Sequence, residues 1–148
     1  SFWGELRAAF LLPNVLAINP HVQSLHKYLG VSKHQVEKLP HGLSVREIDI
    51  LWRISQKRQN PLDETYGWGE VKTLFTTLDD GDAYSGIWQR LSDSLRDQRR
   101  TAHILGLKVK FHIFITNGLT MAARNRLMGM GYSGIHGVIV DASSQLAS

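Results

Sequence analysis

Hydrophobic and polar positions alternate most cleanly over Lys108–Thr116. Val109, Phe111, Ile113 and Ile115 fall on one face, and Lys108, Lys110, His112, Phe114 and Thr116 on the other. A period of two over nine residues predicts a β-strand. The period then lengthens: Leu119, Ala122, Ala123, Leu127 and Met130 form an apolar stripe at helical spacing, with Gly129 and Gly131 as its stop. Ile135 to Asp141, β-rich at Val138-Ile139-Val140, predicts a return strand. A helix between two strands implies a parallel pair joined by a right-handed crossover.

Upstream, the spacing is mostly three to four residues. Trp3 to Leu12 predicts a short helix stopped by Pro13. Asn19 followed by Pro20 has the form of a helix start, and Val22, Leu25 and Leu29 continue a stripe that Gly30 ends. Ser32 is placed to cap a second short helix carrying Val36 and Leu39, and Pro40 stops it. Ser44-Val45-Arg46-Glu47 has capping-box spacing, and Val45, Ile48, Ile50, Leu51 or Trp52, and Ile54 extend a helix from it. Pro61 to Gly69 reads as a loop rich in turn formers. Glu70 to Leu78 fits strand alternation through Val71, Thr73, Phe75 and Thr77, but the grouping of Val71, Leu74, Phe75 and Leu78 favours a helix. Asp79 to Asp82 is a turn. The longest helix follows, with Tyr84, Ile87 or Trp88, Leu91, Leu95 and Ala102 inward and Gly106 as its end. Its arginines, Arg96, Arg99 and Arg100, gather in the half where the helix dipole favours cations. The expected fold class is α+β: a helical N-terminal part followed by a small strand–helix–strand unit. The division is a helical region at 1–106 and the strand–helix–strand unit at 107–148, or one compact domain containing both. Two strands alone are too few to be stable, so a third strand, covering helices or further sequence must complete the sheet.

Composition narrows the class without naming a function. The chain has 148 residues, 43% hydrophobic and 20% charged, which suits an ordinary globular fold with a real core. It has no cysteine, which removes disulfides and thiolate metal sites. No apolar run reaches the ~18–20 residues of a membrane span, and Phe2-Trp3-Gly4-Glu5 lacks the pattern of a signal peptide. A cytoplasmic location is the expectation. The start at Ser1 and the stop just after a strand suggest a piece of a longer protein. The net charge of +4 is unevenly spread. Residues 1–59 carry eight Lys/Arg against four Asp/Glu, residues 60–107 five against eight, and residues 108–148 four against one. Basic ends flank an acidic middle, a balance that admits a nucleic acid or an acidic protein partner.

One stretch gives that balance a form. In Leu25-His26-Lys27-Tyr28-Leu29-Gly30-Val31-Ser32-Lys33-His34-Gln35-Val36-Glu37-Lys38-Leu39, Leu25 and Leu29 pack a first helix and Gly30 allows a left-handed turn. Val31 plugs the corner, Ser32 caps a second helix, and Val36 and Leu39 face inward. Residues 20–39 thus resemble the helix-turn-helix of bacterial DNA-binding proteins. His26 stands where that family has a small residue. The resemblance implies a recognition helix presenting Lys33, His34, Gln35 and Lys38 to base edges or phosphates, with Lys27 on the backbone. Leu127-Met128-Gly129-Met130-Gly131-Tyr132 is similar to the Met-Gly-Phe/Tyr loop of ubiquitin-associated domains, but the rest of that pattern is absent and a glycine-rich helix-to-strand turn explains it.

Candidate chemistry is thin. Thr116, Asn117 and Gly118 would lie at one strand's carboxyl end, and Asp141, Ser143 and Ser144 at the neighbouring one, where ligands favour binding. The seven histidines, His21, His26, His34, His41, His103, His112 and His136, lack the spacing of a metal site, although His112 and His136 stand to meet on neighbouring strands. Asp79 to Asp82 is too short for a calcium loop. No metal or cofactor is expected. The leading expectation is a non-enzymatic nucleic-acid-binding module, for duplex DNA, using Lys27, Lys33, His34, Gln35 and Lys38. The alternative is a protein–protein interaction module in which Lys108, Lys110 and the arginines of the long helix meet an acidic partner. A third is an enzyme using Asn117 and Asp141.

Overall fold

A computed structural model describes residues 2–42, 46–54 and 64–138. A helix α1 (Phe2–Phe10) leads into strand β1 (Val15–Ile18). A 3-10 turn (Val22–Lys27) and helix α2 (Lys33–Glu37) follow, then strands β2 (Ile50–Arg53) and β3 (Thr65–Lys72). The long helix α3 (Ser85–Ile104), strand β4 (Lys108–Thr116), helix α4 (Met121–Met130) and strand β5 (Gly134–Val138) complete the order. The five strands make one sheet in sequence order. β1, β2 and β3 form an antiparallel meander, while β3–β4 and β4–β5 are parallel.

The expected fold class is thereby corrected. There is no helical N-terminal part, because β1, β2 and β3 all lie before residue 107 and form more than half of a mixed sheet. The sheet runs through both halves of the chain, since β3 pairs with β4 along its whole length, from Thr65↔Lys108 to Lys72↔Ile115. The strand–helix–strand unit is one end of this sheet.

The misread segments share a physical cause. β2 is an interior strand, and Ile50, Leu51 and Trp52 are all buried. A strand covered on both faces loses its alternation and reads as a continuous apolar run, which also fits a helix. The helix expected from Ser44 onward is therefore strand at 50–53, while residues 43–45 and 55–63 lie outside the described part. β3 was obscured by glycine. A Cβ on Gly67 would lie 2.1 Å from the Trp52 ring and one on Gly69 2.8 Å from Phe114, so these positions let two aromatic rings lie against the strand. Those glycines made Pro61–Gly69 look like a loop, and Glu70–Lys72 is strand rather than helix. Asn19 caps nothing: its φ is 54° and its side chain instead binds Glu5.

Two apolar layers flank the sheet. One face carries Leu51, Tyr66, Trp68, Phe111, Ile113 and Ile115. Trp88, Leu91 and Leu95 of α3 and Ala123 and Leu127 of α4 cover it, together with Val22, Leu25, Leu29 and Val36 of the segment between β1 and β2. The other face carries Ile50, Trp52, Val71 and Phe114 under Ala8 of α1. The segment between β1 and β2 is an excursion with a zipped stem. Asn19 N–H donates to Asp49 O at 2.8 Å, Ile48 N–H to Pro20 O at 3.1 Å, and Val22 N–H to Arg46 O at 2.8 Å. The returning chain is thus delivered to Asp49 at the head of β2.

Candidate active site

The register of β2 and β3 places Ile50 opposite Gly69, so Asp49 stands beside Glu70. Strand alternation puts Glu70 and Lys72 on one face, the same face as Trp68. Hence a carboxylate at the head of one strand meets a carboxylate and an ammonium near the end of its antiparallel neighbour. The Val71 N–H donates to Asp49 Oδ2 at 2.8 Å, locking the Asp49 side chain against β3. Lys72 Nζ lies 3.4 Å from Glu70 Oε1. From above, α3 supplies two polar groups: Gln98 Nε2 donates to Glu70 Oε2 at 3.2 Å, and Ser94 Oγ to the same oxygen at 3.5 Å. Gln98 is itself buried and also donates to Ser94 Oγ at 3.1 Å. From below, Asn19 Nδ2 donates to Glu5 Oε2 at 2.5 Å, which holds a third carboxylate near the pair.

The electrostatics are those of unbalanced negative charge. Burial pushes the Asp49 carboxyl up to about 7, and the nearby charges of Glu70 and Glu5 push the same way, against the Val71 hydrogen bond and Lys72. Tyr132, at the α4–β5 turn, belongs to the same neighbourhood. Its ring is buried, its hydroxyl has no hydrogen-bond partner, and burial together with the charges of Glu70 and Asp49 raises its pKa. A buried phenol without a partner loses the free energy of a hydrogen bond. It lies within reach of the charges of Glu70 and Asp49 but does not line the cleft beside them. A cleft of about 340 Å³ opens beside Asp49 and Glu70, lined also by Arg46, Glu47, Arg90, Asp93 and Ser94.

This donor set fits a divalent cation of the magnesium type. Among the described residues no three His, Cys, Asp or Glu side chains converge into a complete metal cage. Mg²⁺ does not ask for one: it is held by one or two carboxylates and leaves its other positions to water and substrate phosphate. Asp49 and Glu70 offer two hard oxygen atoms, and a cation between them would offset the burial and the repulsion by Glu70 that raise Asp49.

The residues expected from sequence lie elsewhere. Lys27, Lys33, His34, Gln35 and Lys38 are exposed on the excursion between β1 and β2. Its first helix is a six-residue 3-10 turn and its second, α2, has five residues. Ser32 does cap α2, as expected, and Gln35 Oε1 is taken up by the Ser32 N–H at 2.8 Å. Gly30 is not among the left-handed glycines of the described residues, which are Gly106, Gly118 and Gly131. The excursion encloses a second groove of about 620 Å³, with Lys33, His21, His41 and Arg46 on its walls. Arg46 lines both this groove and the acidic cleft, so the two adjoin.

His112 and His136 do meet, with Nδ1 and Nε2 2.9 Å apart and the rings stacked at 5.2 Å. They lie beside Trp52 and Phe114, on the face opposite the acidic pair. Thr116, Asn117 and Gly118 serve as backbone stitching: Asn117 Nδ2 donates to Leu74 O, and Gly118 O accepts from Leu78 N–H. Asp141, Ser143 and Ser144 lie outside the described residues. The acidic pair was missed because Asp49 and Glu70 are far apart in sequence and were both assigned to helices. A signal was present: Glu70 and Lys72, opposite in sign and two apart, share the inward face of a segment that also carries Trp68 and Val71. Comparison with protein-family models, curated proteins and solved structures finds no match to this chain.

Proposed function

We propose that this protein is a metal-dependent phosphodiesterase acting on nucleic acid, with Asp49 and Glu70 as metal ligands and Lys72 as the cation at the reacting phosphate. The observation that carries this reading is the in-register pair of Asp49 and Glu70, with Lys72 on the same strand face, at a cleft where Asp49 is pushed up to about 7. A perturbed carboxylate such as Asp49 in a cleft is a functional-site signature. When bound, Mg²⁺ supplies positive charge at the phosphoryl oxygens and acidifies a water. The chain's own groups do the rest. Gln98 and Ser94 fix Glu70 in one orientation. Lys72 stabilises the charge that builds up on the phosphoryl group as water attacks phosphorus. The new bond is O–P from water; the P–O bond to one sugar breaks, leaving a phosphate monoester and a sugar hydroxyl.

Nucleic acid is favoured as the polymer because cations flank the acidic cleft, whose lining also includes Glu47 and Asp93. Arg46 and Arg90 line the cleft itself, and Lys33 and Arg46 line the adjoining groove. In this reading Lys27, Lys33, His34 and Lys38 remain nucleic-acid contacts, but they bind phosphates that flank the cut rather than read bases from a recognition helix. The nucleic-acid partner expected from sequence is kept, and the non-enzymatic role gives way to hydrolysis. Among the described residues no helix is long and apolar enough to cross a membrane, and we place the activity in the cytoplasm, where nucleic acid and Mg²⁺ occur together. End-labelled single-stranded, duplex and forked oligonucleotides incubated with Mg²⁺ or Mn²⁺ test the function. Shortened products with metal and none with EDTA are expected. Intact substrates under every metal condition would reject it.

A further inference from the structure

We propose that Phe75 is a stacking platform for an unpaired base beside the cut phosphodiester, so that the preferred substrates are nucleic acids with unpaired bases: single strands, frayed ends and forks. The inference rests on the phosphodiesterase reading and names the substrate class of that same site.

Phe75 is 98% exposed, the most exposed large apolar side chain of the described residues. Full exposure of a phenyl ring is ordinary on a loose tail; here both flanks of the ring are fixed. On the N-terminal side, Leu74 N–H donates to Thr116 Oγ1 at 2.7 Å and Leu74 O accepts from Asn117 Nδ2. Following the ring, Thr77 Oγ1 donates to Asn117 O at 3.2 Å, and Thr77 O accepts from Tyr84 OH at 3.2 Å. Leu78 is fully buried, and its backbone pairs with Gly118 and Thr120. The loop is therefore a stitched extension of the β3–β4 edge, and it holds the ring out in water. Among the described residues, no packing covers that ring.

Position supplies the occupant. Phe75 follows Lys72 by three residues, so its Cα lies within about 11 Å of the Lys72 Cα even if the chain is fully extended. That is one or two nucleotides from a phosphate held by Lys72. A phenyl ring offers no hydrogen bond, so it cannot read a base edge, but it stacks on the face of any base. Paired bases inside a duplex hide those faces against each other. Unpaired bases present them, and an apolar side chain inserted at a step opens it.

The test compares wild type with Phe75→Ala and Phe75→Trp. Binding to a fluorescein-labelled single strand and to the matching blunt duplex is followed by anisotropy in EDTA, so that no cleavage intervenes. Because Phe75 packs on nothing, both variants are expected to unfold at the wild-type temperature. Phe75→Ala is expected to bind the single strand about tenfold more weakly, with duplex binding changed less than twofold, and Phe75→Trp to bind at least as well as wild type. Equal single-strand affinity of Phe75→Ala and wild type would overturn the proposal, as would an equal loss on both substrates or no binding of the single strand by wild type. The two readings separate cleanly. A protein that shows the Phe75 dependence but cuts nothing with Mg²⁺ loses the phosphodiesterase reading and keeps the stacking platform. One that cuts at the same rate with and without Phe75, with unchanged binding, loses only the platform.

Discussion

Replacing Asp49 by Asn should make the protein more stable and less active at once. The carboxyl is raised from 3.8 to about 7, roughly three units, or about 4 kcal/mol of preference for its protonated form at high pH. The sign follows from linkage. A carboxyl with a raised folded pKa gives stability that is full below its unfolded pKa and is lost as pH rises through its folded pKa. The metal-free wild type should therefore weaken between about pH 4 and pH 7. Asn is neutral throughout and its Oδ1 can still accept from Val71 N–H, the bond that Asp49 Oδ2 makes at 2.8 Å. At pH 8 in EDTA, Asp49→Asn should gain up to about 4 kcal/mol, which at ~2–4 °C per kcal/mol is at most about 16 °C in Tm. His112 and His136 titrate with the opposite sign but are common to both proteins, so the difference between variant and wild type isolates Asp49. Mg²⁺ at a hundred times its Kd should restore about 2.7 kcal/mol to wild type and nothing to the variant. Thermal unfolding by circular dichroism at pH 5 and pH 8, with EDTA and with Mg²⁺, measures all of this. A variant less stable than wild type at pH 8 in EDTA would refute the reasoning, because Asp49 would then be an ordinary stabilising residue.

Three further outcomes follow from the packing. Gly67→Ala should destabilise by about 1–3 kcal/mol, seen as a lower urea midpoint, since its Cβ would sit 2.1 Å from a Trp52 ring that is itself buried; an unchanged midpoint would mean the ring has room to move. Burial and the facing His136, with Lys110 adding to them, depress His112 to about 4, so its ring protons should show no titration by NMR between pH 8 and pH 5.5, whereas a midpoint near 6.5 would deny the buried pair. Stability linked to His112 is full above pH 6.5 and falls as pH drops toward 4, by the same linkage with the sign reversed. Tyr132→Phe should leave stability unchanged or raise it by up to ~1 kcal/mol, because the hydroxyl it removes is buried without a partner; a lower thermal midpoint would show that the hydroxyl stabilises the fold.

Sequence periodicity was informative where a segment has one buried face. β4 reads as alternating because Lys108 and Lys110 at its start stay exposed while Phe111 is buried, although at its far end Phe114 and Thr116 are buried along with Ile113 and Ile115. α3 shows its stripe because only Trp88, Leu91, Leu95 and Ala102 of its apolar residues point fully inward. The meeting of His112 with His136 was legible for the same reason. Periodicity fails in β2, which is buried on both faces, and in β3, where Gly67 and Gly69 make way for rings from neighbouring strands. Losing those two strands also hid the site, since Asp49 and Glu70 become neighbours only through the β2–β3 register. The basic excursion was visible as a cluster of lysines, and where the resemblance implied two helices it has a six-residue 3-10 turn and the five-residue α2.

The central claim is that Asp49, Glu70 and Lys72 form one phosphodiester-cutting centre. Its most direct test gives wild type, Asp49→Asn, Glu70→Gln and Lys72→Met the same end-labelled forked oligonucleotide with Mg²⁺ at pH 8, under single-turnover conditions. Wild type should release shortened strands, and each variant should be slower by about a hundredfold or more while remaining folded. Cleavage by all three variants at the wild-type rate, or none by wild type itself, would contradict it.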